Sequence, residues 1–338
     1  MTTNIASTEP TSPKREVLRV EDLHTSFFTK EGEVKAVNGV NLTLKEDSIL
    51  GIVGESGSGK SATALSILRL LPYPGRTVSG AIYFEGRDLL KIDNEGLRQI
   101  RGKDIAIIFQ EPVAALNPLI TIGTHMEEAL LAHGYMGKAE ARDRSVQLLT
   151  ELDLPSPPNV LKLYPFQLSG GQAQRVMIAM AMAWNPRVII ADEITSNLDV
   201  TLQADVIDRL KRLQRERHSA VMLITHDMGV IAQAAQEVAV MYAGNVVEYA
   251  DTISIFRRPF HPYTWALLQS IPRLDRPMQA LQPIEGSSPN LIDLPDQCPY
   301  LPRCPKASNE CRLSPKPELV EVEPGHFVAC YNRVEHPE

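Results

Sequence analysis

Unbroken apolar runs alternate with amphipathic stretches along most of the chain, and each run ends on glycine or a polar residue. Residues 49–53 form a buried-type run leading into glycines, and 105–109, 188–191 and 220–225 have the same character. Each predicts a strand hidden on both faces. Helical periodicity predicts helices over 61–70, from 169, over 201–217 and from 228. Strands and helices in that order imply a largely parallel sheet covered on both sides. Residues 17–44 read instead as short β-rich segments around a turn at Lys30, Glu31 and Gly32, with 81–84 as a further strand. Between 112 and 164 the pattern is mostly helical with proline breaks around 155–158, which predicts an inserted helical subdomain. Beyond about 275 prolines become dense and the periodicity fades, so the C-terminus is expected to form a separate module.

A length of 338 residues suits one well-buried core with a smaller annex. Hydrophobic residues at 43% and charged residues at 22% are ordinary globular usage, so the chain is expected to fold. The formal charge of -7 provides no general attraction to nucleic acid or anionic lipid, and nucleic acid is not expected as a partner. No apolar run approaches the roughly 20 residues that span a bilayer. Residues 1–15 are polar and rich in Thr, Ser and Pro, without the apolar centre of a secretory signal. A cytosolic protein with a disordered tail over 1–15 is the expectation.

Chemistry enters at Gly54-Glu55-Ser56-Gly57-Ser58-Gly59-Lys60-Ser61, which fits G-x-x-x-x-G-K-[ST] between a predicted strand and a predicted helix. Small residues let successive backbone N–H groups curl around phosphate oxygens, and the helix N-terminus adds a favourable dipole. Lys60 is placed to neutralise β- and γ-phosphate charge and Ser61 to ligate Mg²⁺. A glycine-rich turn without a ligand is the alternative, and the flanking strand and helix weigh against it. No internal repeat and no second pattern of this kind occurs, so one nucleotide domain per chain is expected.

The other motifs narrow the class. Leu168-Ser169-Gly170-Gly171-Gln172 stands at the start of an Ala- and Met-rich helix, and Val188-Ile189-Ile190-Ala191-Asp192-Glu193 is an apolar strand ending in two carboxylates. Gln110 follows the run that ends at Phe109, Ser196-Asn197-Leu198-Asp199 reads as a turn, and His226 follows Ile224-Thr225. In this order and spacing they resemble the ABC ATPase family over about 17–249. The resemblance implies an α/β fold: an ABC-type P-loop NTPase core with a β-rich N-terminal subdomain, an inserted helical subdomain over about 112–184 and a small Cys-containing C-terminal extension. The nucleotide-binding domain would run over 16–260 and the extension over 261–338.

Carried over from the family, residues Gly54 to Ala62 would cradle ATP, and Ser61, Gln110 and Asp192 would serve Mg²⁺. Glu193 would polarise the attacking water as general base. His226 would contact the γ-phosphate, although a lone His beside apolar strands is also an ordinary core residue. Gln110 would link Mg²⁺ and water to the helical subdomain, its alternative being a plain surface residue. Phe27 would stack on adenine; with Phe28 adjacent, an ordinary core Phe is the alternative. Ser169, Gly170, Gly171 and Gln172 would meet the nucleotide bound to the opposite subunit, so a single chain carries two half-sites, and Asp199 would also be a nucleotide-binding residue. Ile194 stands where the family usually has proline, and Asn197 where alanine is common, which puts the fine geometry of that turn in doubt.

Arg258-Pro259-Phe260-His261-Pro262-Tyr263-Thr264, followed by Leu267-Leu268, resembles the segment after the nucleotide domain in oligopeptide, dipeptide and nickel importer motors. The cysteine-bearing tail, Cys298 to Cys304, Cys311 and Gly325 to Cys330, resembles their C-terminal extension. This implies a bacterial peptide-importer motor on the cytoplasmic face of the inner membrane. Its partners would be a paralogous ATP-binding subunit, two transmembrane permeases and, through them, an external binding protein. Dipeptide, oligopeptide, glutathione-like and nickel cargoes stay open, and a non-transport ABC ATPase acting on nucleic acid or ribosomes is the rival class. Four cysteines packed into one segment of a reducing-compartment protein favour metal ligation over disulfides. Their spacing contains no C-x₂-C knuckle. Related motors with this tail point to a 4Fe-4S cluster on Cys298, Cys304, Cys311 and Cys330; zinc and unligated thiols are the alternatives.

Overall fold

Two fourteen-residue strands, β1 (Glu16–Thr29) and β2 (Gly32–Lys45), open the computed structural model, which describes residues 14–134, 136–196, 198–271 and 284–336. The tail over 1–13 and Asn197 lie outside the described residues. Sequence pattern predicts short segments here, and the strands are long because their pairing runs through register shifts at Val20/Leu23, Leu23/His24 and Thr25/Ser26. Asp22, at φ 42°, sits in one of them. Such bulges break the period-two alternation that marks a strand in sequence. With β4 (Gly75–Phe84) and β5 (Arg87–Asp88) these strands form a sheet ordered β2-β1-β4-β5.

The second sheet contains β3 (Ile49–Val53), β6 (Ile105–Ile108), β7 (Val188–Asp192), β8 (Ala220–Thr225), β9 (Glu237–Tyr242), β10 (Asn245–Asp251), β11 (Val320–Glu323) and β12 (His326–Val328). Their order is β11-β12-β10-β9-β3-β8-β7-β6. The stretch from β9 to β6 is parallel, and β3, β7 and β8 are buried at every position, as continuous apolar runs require. Alternate residues serve two cores. Ile189 and Ala191 pack toward the helices with Val176 and Ile178, whereas Val188 and Ile190 pack toward the first sheet with Val20 and Val40.

Helices α1 (Lys60–Ile67) and α2 (Asn94–Ile100) precede β6. α1 is shorter than the 61–70 expected, because Arg69 turns to φ 52° immediately past its C-cap. Between β6 and β7 lie α3 (Pro112–Ala115), α4 (Ile122–Leu131), α5 (Lys138–Glu151), α6 (Pro157–Val160) and α7 (Gly170–Ala181). α8 (Val200–Arg217) and α9 (Met228–Ala234) flank β8, followed by α10 (Thr252–Arg257), α11 (Pro262–Gln269) and α12 (Asn309–Leu313).

The C-terminal residues do not stand apart as the separate module expected. β12 pairs with β10 and carries β11 on its far side, so the extension continues the central sheet. The fully buried Glu248 carboxylate of β10 accepts bonds from the backbone N–H of Phe260 (2.6 Å) and His261 (3.0 Å) and from His326 Nε2 (2.7 Å). One anion thereby ties the start of α11 and the C-terminal strands to the nucleotide domain. Tyr242, Tyr263 and Tyr300, all buried, pack against one another in tilted and edge-on contacts with ring centroids 4.6 to 5.4 Å apart.

Candidate functional site

Parallel strands in register deliver their C-terminal residues to one edge of the sheet. Ile108 pairs with Ala191, Asp192 with Ile224, and Val53 with Thr225. The residues just beyond these pairs are the phosphate loop, Gln110, Glu193 and His226, so sheet geometry alone brings the dispersed motifs together. In an open α/β sheet this carboxyl edge is where ligands bind. A cavity of about 860 Å³ opens there, lined by Phe27, Gly54 to Ala62, Gln110, Glu193 and His226.

The loop's glycines are required by close backbone approach. A Cβ on Gly54 would lie 2.1 Å from the Met241 carbonyl oxygen, and one on Gly59, at φ +100°, would lie 2.3 Å from that of Ala36. Gly59 also caps α1, whose first residue is Lys60. Lys60 is buried, and its Nζ donates to the carbonyls of Gly54 (2.8 Å) and Glu55 (2.9 Å). Burial pulls the Lys60 pKa down, while the negative charges of Glu193, Asp192 and Glu55 oppose the shift. An ammonium held among carbonyls and carboxylates is suited to receive a polyanion.

Asp192, the last residue of β7, accepts a bond from Ser61 Oγ at 3.1 Å, and burial raises its carboxyl pKa against that bond. Glu193 leaves the strand at φ 47°, an uncommon conformation for a residue with a side chain and one that concentrates at working sites. Its Oε2 accepts from Gln110 Nε2 at 3.2 Å and lies 3.3 Å from His226 Nδ1. A carboxylate has only acceptors, so Nδ1 is the protonated ring nitrogen in this arrangement. Ser61 and Asp192 together present hard oxygen donors of the kind Mg²⁺ prefers.

Phe27 and Phe28 separate cleanly. Phe27 lines the cavity and pairs with Gly75, where a Cβ would come within 2.6 Å of its ring. Phe28 lies under the Arg76 guanidinium, 4.1 Å from ring centroid to Cζ.

Ser169, Gly170, Gly171 and Gln172 stay outside this cavity. Ser169 caps α7, its Oγ accepting from Gln172 N while Gln172 Oε1 accepts from Ser169 N, a reciprocal capping box. Ser169 and Gly170 are exposed, and a Cβ on Gly170 would meet nothing within 4 Å. Asp199 caps α8 through the N–H groups of Thr201 and Leu202. Ile194, at the departure from the family pattern, is buried in the core.

The four cysteines are free and line one small cavity of about 10 Å³ together with His261, Tyr300 and Lys306. Burial pushes the Cys298 thiol up to about 11 and that of Cys330 up to about 12, and raises Cys304 as well. Among the described residues no group of three or more His, Cys, Asp or Glu is drawn tightly enough to hold a metal ion. The expected metal centre therefore corresponds here to converging thiols and not to a formed coordination group. All four cysteines line that cavity, but at about 10 Å³ it has no room for a metal centre as it stands.

Sequence reading missed part of the cavity wall. Val34, Ala36, Leu267, Ser270, Ile284 and Leu291 also line it, the last four from the extension. Scattered side chains at no fixed spacing, apolar apart from Ser270, leave no local signal. Tyr263, singled out only as part of a segment, accepts a hydrogen bond on its hydroxyl from Glu55 N at 2.8 Å.

Comparison with known proteins agrees with this geometry. The ABC transporter family matches residues 37–196, and the C-terminal region of oligopeptide/dipeptide transporters matches 247–311. The oligopeptide transport ATP-binding protein OppD of Salmonella typhimurium is 43% identical over 335 residues, 99% of each chain. The dipeptide transport ATP-binding protein DppD of Bacillus subtilis is 45% identical over 324 residues, 95% of this chain and 96% of that one. Among solved structures, the dimeric ATP-binding cassette MJ0796 in a post-hydrolysis state with ADP and Pi aligns with a TM-score of 0.63. It is 30% identical and covers 70% of this chain and 98% of its own.

Proposed function

This chain belongs to the family of ATP-binding subunits of ABC transporters, and we propose that it is the ATP-hydrolysing motor of a bacterial importer for oligopeptides or dipeptides. The observation that carries the reading is the meeting of Lys60, Gln110, Glu193 and His226 around one cavity at the sheet's carboxyl edge, in a chain that also bears the peptide-transporter C-terminal region. A glycine loop and a buried lysine bind the triphosphate. Glu193, oriented by Gln110 and His226 on the same oxygen, takes the proton of the attacking water. His226 Nε2 remains to donate or accept at the terminal phosphate. Ser61, Asp192 and Gln110 would hold Mg²⁺, which when bound offsets charge on the β- and γ-phosphates.

The exposed signature helix start of Ser169 and Gly170 lies off this cavity, which supports its use on the nucleotide of a partner cassette, a paralogue of this chain. No helix among the described residues is long and apolar enough to cross a membrane. Separate permease subunits would therefore form the pathway, with the motor peripheral at the cytoplasmic face and an external binding protein delivering cargo. Cys298, Cys304, Cys311 and Cys330 would hold a 4Fe-4S cluster, which supplies bonds that tie a proline-rich segment together.

Affinity purification of the full chain from native membranes, followed by peptide uptake into proteoliposomes, tests the proposal. Copurification of two permeases and ATP-dependent uptake are expected. Ribosomes or DNA in place of permeases would overturn it in favour of a non-transport ABC ATPase.

A further inference from the structure

Glu55 introduces a problem that the phosphate-loop pattern does not solve. The pattern leaves its position free, and a carboxylate there borders a cavity meant for a polyanion. At short range in a partly dry site, that repulsion is substantial unless it is neutralised. The neutralising charge comes from the far end of the chain. Arg303 donates to both carboxylate oxygens of Glu55, Nη1 to Oε2 at 2.6 Å and Nη2 to Oε1 at 3.1 Å, in the bidentate geometry that suits guanidinium and carboxylate.

The guanidinium is almost wholly enclosed, its side chain 6% exposed. Its remaining N–H groups are used as well: Nε on Glu285 O at 2.9 Å, Nη1 on the Tyr242 hydroxyl at 3.2 Å and Nη2 on Ile284 O at 3.3 Å. All five donors are thus occupied, which leaves Arg303 a single orientation. Glu55 is gripped elsewhere too. Its N–H donates to the Tyr263 hydroxyl at 2.8 Å, and Ser288 Oγ donates to its Oε2 at 3.2 Å. Tyr263 and Tyr242 are themselves locked in the buried cluster with Tyr300. Among the described residues, the hydrogen bonds that Glu55 makes outside the phosphate loop all go to the extension, at Tyr263, Ser288 and Arg303.

We propose that Arg303 and Tyr263 are positioning residues for ATP binding: the C-terminal extension sets the phosphate loop through Glu55, with Arg303 cancelling the charge that would repel the nucleotide. Neither residue lies in the phosphate-loop motif, and Arg303 is 248 positions from its partner. The inference rests on reading the cavity as the ATP site.

The test measures ATP binding by the full chain directly, together with KM and kcat in the assembled transporter and a melting curve for each variant. Arg303→Gln should raise both the ATP dissociation constant and KM about tenfold, with kcat within about twofold, because an uncompensated carboxylate opposes binding before chemistry begins. Adding Glu55→Gln to Arg303→Gln removes the uncompensated charge, so affinity should return to within about threefold of the parent. A merely structural role predicts the reverse, a further loss in the double variant. Tyr263→Phe, which deletes one hydroxyl and keeps the ring contacts, should weaken ATP binding about threefold to tenfold. Unchanged ATP affinity in both single variants, or an additive loss in the double variant, would overturn the proposal. If the parent chain itself binds no ATP while Lys60→Ala behaves identically, it is the ATP-site reading that fails.

Discussion

Gln110 Nε2 donates to Glu193 Oε2 at 3.2 Å although 83 positions separate the two residues. The contact follows from the parallel pairing of β6 with β7, which sets Ile108 beside Ala191 and so places the residues two steps further on at the same level. Gln110 leads into α3, at the start of the helical region, so the bond joins that region to the carboxylate. A movement of the helices against the sheet would be felt at Glu193.

Glu193→Gln should abolish most turnover and leave Mg-ATP binding intact. Removing a general base costs about 10²–10⁴-fold in rate, whereas Lys60 and the loop glycines that hold the phosphates are untouched. Steady-state ATPase activity of the assembled complex, set against nucleotide retention on a filter, checks both halves. Near-parent turnover would remove Glu193 from the role of base.

Phe27→Ala should weaken ATP binding, and Phe28→Ala should not. Stacking of a base on an aromatic ring is worth about 1–3 kcal/mol, and only Phe27 faces the cavity, while Phe28 is covered by Arg76. Titration with ATP and with a triphosphate lacking the base separates the two contributions. Equal losses in both variants would contradict the assignment.

Ser169→Ala should impair hydrolysis at the nucleotide bound by the partner cassette. The change also removes the cap of α7, worth about 1 kcal/mol, so a melting curve must accompany the assay. Complexes carrying the variant in one cassette, probed for which nucleotide persists, give the readout. Isolated single chains that hydrolyse ATP as fast as the complex would show that no partner site is needed.

Glu248→Ala should loosen the extension without touching the cavity residues. It strands three donors, those of Phe260, His261 and His326, and each buried donor left without an acceptor costs about 1–3 kcal/mol. Limited proteolysis should then cut the C-terminal strands early, and the melting temperature should fall. Parent-like protection of the tail would show that β11 and β12 are held by other contacts.

Anaerobic purification should give brown protein containing iron and acid-labile sulfide, and Cys304→Ser should bleach it. The three thiols whose pKa is raised by burial are protonated at neutral pH without a bound cation, so loading should release protons and fail when the pH is lowered. Colourless protein with stoichiometric zinc would replace the cluster with a zinc site, and metal-free protein would leave four unligated thiols.

The phosphate loop, the acid pair at the end of β7, Gln110 and His226 were all legible in the linear chain, because each is a local pattern attached to an apolar run. An all-buried parallel strand must be apolar throughout, and its end must be polar where it meets the ligand edge, so period and boundary are both written in adjacent residues. What the chain alone left open was everything that depends on register or on packing between distant segments. Phe27 and Phe28 are equivalent as letters, and only the antiparallel pairing that sets Phe27 over Gly75 separates them. β11 and β12 are only four and three residues long and carry little strand signal in sequence; β12 exists because β10 offers an unpaired edge, and β11 because β12 offers the next. Arg303 and Glu55 bear no mark of one another; a buried guanidinium with all five donors used is a property of the folded surroundings, since its acceptors lie on three separate segments, at Glu55, at Tyr242 and at Ile284 and Glu285, and only tertiary packing brings them within hydrogen-bonding distance.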